Sequence, residues 1–362
     1  MNQSHDATGG QTAKHVASVT SLLTGVGAVF GASATTGTRL GIGMHSYGHA
    51  WKSARDGKAG VGFRGALSFL EYAHSIGAAG VQVTIRLDDR EDVSRIRARA
   101  EELGVYFESQ LSIPRDKADT ARFEDELKTL RAAGATVART AVLGTRRYET
   151  LKSAAEFREF KERGTRSLAL AEPILKRHGV RLAVENHKDW LAPELADLLR
   201  KMSSEWVGAC VDTGNSLALL EDPDAVVEAL APFAVTTHIK DMAVREYADG
   251  FLLSEVSIGD GFLDLPRMIA LMRKARPGIA LNLEMITRDP LQIPCLKPEY
   301  WATLGEMKGG QLAEALARVK QNASLKPLPR TTGLLPAQLV GLEDDHVREC
   351  LKWGTENLAQ QI

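Results

Sequence analysis

Four side chains able to bind a cation each close a short apolar run: Glu185 in RLAVENH, Asp212 in VGACVDTGN, His238 in AVTTHIKD and Glu284 in IALNLEMI. Three carboxylates and an imidazole gathered at one point repel one another unless a cation joins them. The chemistry they suggest is therefore that of a bound divalent metal, with a structural ion-pair network as the rival account. Oxygen-rich ligands with one imidazole favour Mn²⁺, with Mg²⁺, Co²⁺ or Zn²⁺ as alternatives. No cysteine accompanies them, which removes the strongest zinc signal.

For these residues to meet, the elements carrying them must end side by side. Each apolar run is followed by turn residues and a helical pattern, and the gaps from Glu185 to Asp212 and from Asp212 to His238 each hold one strand–helix unit. That rhythm predicts parallel β/α units. Over the chain it predicts eight strands, at 40–46, 80–85, 105–110, 136–143, 181–186, 207–212, 234–241 and 279–286. Helical patterns lie between them, three of which meet a glycine stop at Gly77, Gly104 and Gly134. No strand has an internal proline, and the runs are rich in Val, Ile, Ala and Thr, as strands covered on both faces are. The expected fold class is α/β, a closed (β/α)8 TIM barrel over residues 38–321. In such a barrel the carboxyl ends of all strands face one mouth, which holds the chemistry. A doubly wound sheet would offer a glycine-rich phosphate turn after strand one. The sequence there, HSYGHAWKSARDG, has no such fingerprint.

Residues 322–362 read as a C-terminal helical extension, opened by Pro327, Pro329 and Pro336 and closed by an amphipathic helix over about 343–358. It is expected to pack on the barrel or on a second subunit, so a homo-oligomer is a candidate assembly. Residues 1–37 read as a leader. The stretch 16–34 is uncharged and ends Ala32-Ser33-Ala34, which fits either a cleaved export signal or a disordered segment. Cytoplasmic and exported locations both stay open. The stretch is too weakly apolar to predict a membrane span. Lys plus Arg number 45 and Asp plus Glu 46, which argues against a nucleic-acid binder that relies on a basic face. Cys210, Cys295 and Cys350 lack metal-ligand spacing and are odd in number, so a disulfide framework is not expected.

ENH, VDTGN, HIKD, SIGDGFLD and the closing LE resemble the xylose-isomerase-like barrel superfamily, in particular its sugar isomerase/epimerase group with ketose 3-epimerases and hydroxypyruvate isomerases. The resemblance spans roughly residues 39–320. It implies that Glu185, Asp212, His238 and Glu284 are the metal ligands and that Glu185 and Glu284 are the catalytic acid–base pair. A keto sugar chelated through carbonyl and hydroxyl would lose a proton to one carboxylate, giving an enediolate. Reprotonation from the opposite side inverts the centre, reprotonation at the neighbouring carbon moves the carbonyl, and loss of a β-substituent gives a lyase. The expected function is a metal-dependent sugar isomerase or epimerase. The alternative is a lyase or hydratase on a keto-glycoside. A non-catalytic sugar-binding barrel would be expected to have lost a ligand. An abasic-site endonuclease would need further histidines, and the stretch after His238 has none.

Six more residues are candidates for substrate binding: His187, Asn215, Lys240, Arg245, His45 and Glu108, with a satisfied structural hydrogen bond as the rival account for His45 and Glu108. Asn215 departs from the family, where many epimerases have histidine three residues after the metal aspartate. Arg245 resembles a family arginine that follows the metal histidine. Trp51 and Trp190 sit in loops where they could stack on a sugar or simply pack.

Overall fold

The computed structural model describes residues 40–57, 63–85, 93–305 and 309–358. The expected leader and the start of the helix predicted at 91–104 lie outside the described residues. Eight parallel strands close a barrel: β1 (Gly41–Gly43), β2 (Gly80–Val83), β3 (Tyr106–Gln110), β4 (Val137–Thr140), β5 (Arg181–Glu185), β6 (Val207–Asp212), β7 (Ala234–Ile239) and β10 (Leu281–Leu283). Sequential strands are neighbours, and β10 pairs with both β7 and β1 to complete the circle. β5, β6, β7 and β10 are buried along nearly their whole length, which is why they read as unbroken apolar runs.

Helices α1 (Gly48–Arg55), α2 (Ala66–Ser75), α3 (Val93–Leu103), α4 (Thr120–Ala132), α5 (Arg147–Thr150), α6 (Ala154–His178), α7 (Ala192–Met202), α8 (Pro223–Leu230) and α9 (Leu265–Ala275) follow the strands. Local chemistry sets their ends. Ser153 accepts the Glu156 N–H at 3.2 Å to start α6. Gly179, left-handed at φ 63°, stops it. Asp222 and Asp264 cap α8 and α9 in the same way, each followed by a first-turn proline. The apolar faces of these helices and the outward strand residues form one continuous core around the barrel.

Three features differ from the sequence expectation. After β1 the chain forms a 3₁₀ turn and then α1, within the end of the strand predicted at 40–46 and beyond it, where no helix was predicted. The stretch after His238 is an antiparallel ribbon, β8 (Asp241–Tyr247) with β9 (Gly250–Val256), extended by β11 (Leu291–Ile293) and backed by α10 (Gly309–Gln321). Gly250 turns the ribbon at φ 148°, a backbone angle that suits glycine and that looks like a loop in sequence. The C-terminal helix α11 begins at Pro336 and runs to Leu358, a turn and more earlier than expected. It packs on the barrel beside α1 and the 3₁₀ turn that follows β1, burying Val347, Cys350, Leu351 and Leu358. Among the described residues no helix is long and apolar enough to cross a membrane.

Candidate metal centre

Glu185 ends β5, Asp212 ends β6, His238 is next to last in β7, and Glu284 directly follows β10. Asp212 and His238 are register partners, so adjacent strands deliver them to one level. One donor atom from each of the four residues falls within 4.8 Å of every other, about twice a metal–oxygen bond. All four are buried. His238 Nδ1 stands 3.2 Å from Glu284 Oε1, 3.5 Å from Glu185 Oε1 and 3.8 Å from Asp212 Oδ2. His238 Nδ1 is buried without a hydrogen-bond partner, and Asp212 Oδ2 meets only the Lys240 ammonium, at 2.8 Å. Buried polar atoms are normally satisfied, so an unpartnered ring nitrogen facing three carboxylates fits a cation among them. The set could hold a metal ion.

The surrounding residues fix the orientation of each donor. His238 Nε2 donates to Gln82 Oε1 at 2.7 Å, and Gln82 Nε2 donates to Glu108 at 3.1 Å. Because an ionised carboxylate only accepts, Glu108 sets the way round of the Gln82 amide, and Gln82 in turn leaves the Nδ1 lone pair turned to the ligand set. Asp212 Oδ1 accepts the N–H groups of Gly214 and Asn215 at 2.9 and 2.7 Å, so Oδ2 points the other way. Asn186 clips the same strand end, exchanging hydrogen bonds with the backbone N–H and C=O of Asp212. ENH and VDTGN are thus one interlocked unit.

The electrostatics are those of a crowded, water-poor site. Burial pushes the Glu185 carboxyl up, but Arg139 and His238 outweigh it and hold it well below the usual range. For Glu284, burial is likewise outweighed, here by His238 and Lys240. Asp212 is pushed up, burial dominating over the attraction of Lys240. Burial lowers His238, yet Cys210, Glu284 and Glu185 together raise its affinity for a positive charge.

The other residues expected at the mouth divide. Asn215 Nδ2 donates to Glu185 Oε1 at 2.9 Å, and its Oδ1 accepts from Lys188. Lys240 lies at the centre and pairs with Asp212 at 2.8 Å and Glu284 at 2.5 Å, not with Asp241. Asp241 instead accepts the N–H groups of Gly259, Gly261 and Leu263, which ties down the SIGDGFLD loop. A Cβ on Gly261 would come within 2.0 Å of that carboxylate, so the motif needs glycine there. His45 hydrogen-bonds Gln110 Oε1 at 3.0 Å and lines a cavity of about 330 Å³ with Gln110, Arg139 and Thr140. His187 is close enough to Glu185 to feel its charge, and burial pushes it down to about 4, so it is neutral.

Two expected substrate contacts are corrected. Glu108 is mid-strand, a layer below the mouth, and its carboxylate is taken by Gln82, Thr236 and Asn282. Gln110, two residues on and on the same inward face, holds the mouth position instead. Arg245 rides the β8–β9 ribbon away from the site and donates to the carbonyls of Ser324 and Lys326. Trp51 packs on Phe63 and Phe69, and Trp190 on Phe160.

Four participants escaped the sequence reading. Arg139 binds Glu185 from β4. Gln82 supports His238. Lys188 follows ENH, and Arg288 pairs with Glu255. Arg139 and Gln82 carried a readable signal, a polar side chain inside a buried strand.

The family whose pattern matches residues 70–307 is described as xylose isomerase-like TIM barrel. The chain is 25% identical over 245 residues to 3-oxo-isoapionate decarboxylase of Pectobacterium atrosepticum, covering 66% of this chain and 82% of that protein. The crystal structure of the probable 3-DHS dehydratase AsbF from Bacillus anthracis superposes with a TM-score of 0.54 at 13% identity, over 74% of this chain and all of that one. D-psicose 3-epimerase from Clostridium cellulolyticum H10, with D-tagatose, gives a TM-score of 0.52 at 12% identity, over 78% of this chain and 97% of that one. At these identities the two structures speak for the fold alone.

Proposed function

The chain belongs to the xylose isomerase-like TIM barrel family, and from that premise we propose a divalent-metal-dependent lyase acting on a keto sugar. Glu185, Asp212, His238 and Glu284 would hold the ion. A cation there supplies Lewis-acid polarisation of the substrate carbonyl and acidifies its neighbouring C–H. Glu284, kept ionised by Lys240, would accept that proton. Lys240, fully buried against Glu284 and Asp212, is placed to return a proton to the carbon or to the departing group.

One observation carries the choice of lyase: both catalytic glutamates are gripped by a buried cation, Glu185 by Arg139 and Glu284 by Lys240. Two-base inversion needs one carboxyl protonated while the other is ionised, and each grip opposes protonation. Breaking a bond next to an enediolate needs at most one base and one donor, as does moving the carbonyl, and a decarboxylation needs the donor alone. The decarboxylase relative, aligned over 66% of this chain, supports the lyase over a one-base isomerase. The second reading is a sugar isomerase or epimerase, favoured by the presence of two glutamates in one ligand set.

The test is to incubate Mn²⁺-loaded protein in deuterated water with a panel of keto sugars, keto glycosides and keto sugar acids. A lyase gives either a cleaved product carrying solvent deuterium or an eliminated product that has lost its carbon-bound hydrogen to solvent. Deuterium in an intact, rearranged sugar would establish the isomerase reading. No exchange and no product across the panel, with metal bound, would remove both.

A further inference from the structure

The charges around the ligand set pair unevenly. Four carboxylates face this region, Glu185, Asp212, Glu284 and Glu255, and so do four cations, Arg139, Lys188, Lys240 and Arg288. A divalent ion would add two positive charges, which Asp189 and Glu108 match in number. Those two carboxylates are held elsewhere, Asp189 by the N–H groups of Leu143, His187 and Trp190 and Glu108 by Gln82, Thr236 and Asn282. Buried charge without a partner is costly.

One cation is left without a carboxylate partner. Arg139, Lys240 and Arg288 each touch a carboxylate. Lys188 does not: it is 4% exposed, no ion pair to it forms among the described residues, and its ammonium donates to the neutral Asn215 Oδ1. Burial, Lys240 and Arg288 disfavour its charge more than the attraction of Glu255 and Asp212, neither of which touches it, favours it. Its backbone is left-handed at φ 58°, which is uncommon for a residue with a side chain and costs energy that something else must offset. The Lys188 carbonyl accepts the Arg147 N–H at 3.0 Å, tying this turn to the residue before Tyr148. The Tyr148 hydroxyl is buried without a partner and feels the charges of Arg288 and Glu255. A cation and a hydroxyl, both buried and short of acceptors, stand beside the ligand set.

Resting on the metal reading above, we propose that the substrate carries a carboxylate, bound by Lys188 with Tyr148 and the charges of Lys240 and Arg288 around it. The substrate class is then a keto sugar acid, not a neutral or a glycosidic sugar.

Calorimetric titration of the Mn²⁺-loaded protein with L-threonate and with L-threitol tests this without turnover. The two probes differ in having a carboxylate or a CH2OH at one end. Threonate should bind at least tenfold more tightly. Lys188→Gln should abolish that preference while Mn²⁺ binding is unchanged, and Lys188→Arg should retain it. Equal binding of the two probes overturns the proposal. So does a preference that survives Lys188→Gln, because threonate would then be chelating the metal by itself. Should the wild-type chain bind no Mn²⁺, the metal reading fails and takes this inference with it. Mn²⁺ binding without a threonate preference sinks the carboxylate alone.

Discussion

The two halves of the barrel mouth are built differently. β5, β6, β7 and the end of β10 contribute every carboxylate and the imidazole of the ligand set. β2, β3 and β4 contribute amides and a guanidinium, in Gln82, Gln110 and Arg139, and the turn after β1 contributes His45. One half supplies negative charge for a cation. The other decides which nitrogen of His238 is free and which form Glu185 takes. The difference teaches that a candidate metal site can be read from its acidic residues while the state of each is set from across the barrel.

Substitutions on the two sides should therefore fail in different ways. In the acidic half, Glu284→Gln should lower turnover by about 10²–10⁴, the usual span for a lost general base. Deuterium exchange in single-turnover assays checks this, and near-normal exchange would exclude Glu284 as the base. Across the mouth, Gln82→Leu should leave the four ligands in place but release the His238 ring, weakening Mn²⁺ binding by about 10–100-fold. A competition titration against a chelator measures it, and unchanged affinity would deny the orienting role. Arg139→Gln removes the positive charge that keeps Glu185 ionised, so the Glu185 carboxyl rises. The acid limb of the kcat/KM profile should move to higher pH, with a smaller loss at the plateau. A profile that does not move would mean the Arg139 contact is structural only.

The smallest expected effect lies outside both halves. Glu343 of α11 accepts the His49 and Ala50 N–H groups at 2.7 and 2.9 Å, and burial pushes its carboxyl up to about 7. The folded value is above the unfolded one of about 4.5, so its stabilisation is complete below that lower value. It is lost as pH rises through about 7. Glu343→Gln should flatten this dependence. The Tm of the variant relative to wild type should climb between pH 5 and 8, a shift of a few degrees at most. A constant difference over that range would rule out titration of Glu343.

Much of this was legible in the sequence. Glu185, Asp212, His238 and Glu284 could be picked out because each interrupts an apolar run at its end, and a barrel sends all such ends to one mouth. Depth was harder to read. Glu108 and Gln110 share a face, and alternation gives the side of a strand without giving the level, so the deeper residue was mistaken for the upper one. Arg245 was misplaced because the β8–β9 ribbon looks like a loop until its pairing is known. Arg288 held a comparable promise beside Glu284 and was passed over. Lys188 shows the limit most clearly: a lysine after ENH reads as solvated, and only three-dimensional enclosure reveals that it lacks an anion.

The grip of Glu343 on His49 joins points 294 residues apart in the chain. His49 and His346 also meet on Thr287, three residues past Glu284. Protein synthesis runs from the first of these points to the last. A nascent chain on the ribosome can therefore assemble β1 through β10 and still lack the brace over its opening, so the enzyme should gain competence late, only after α11 has cleared the exit tunnel.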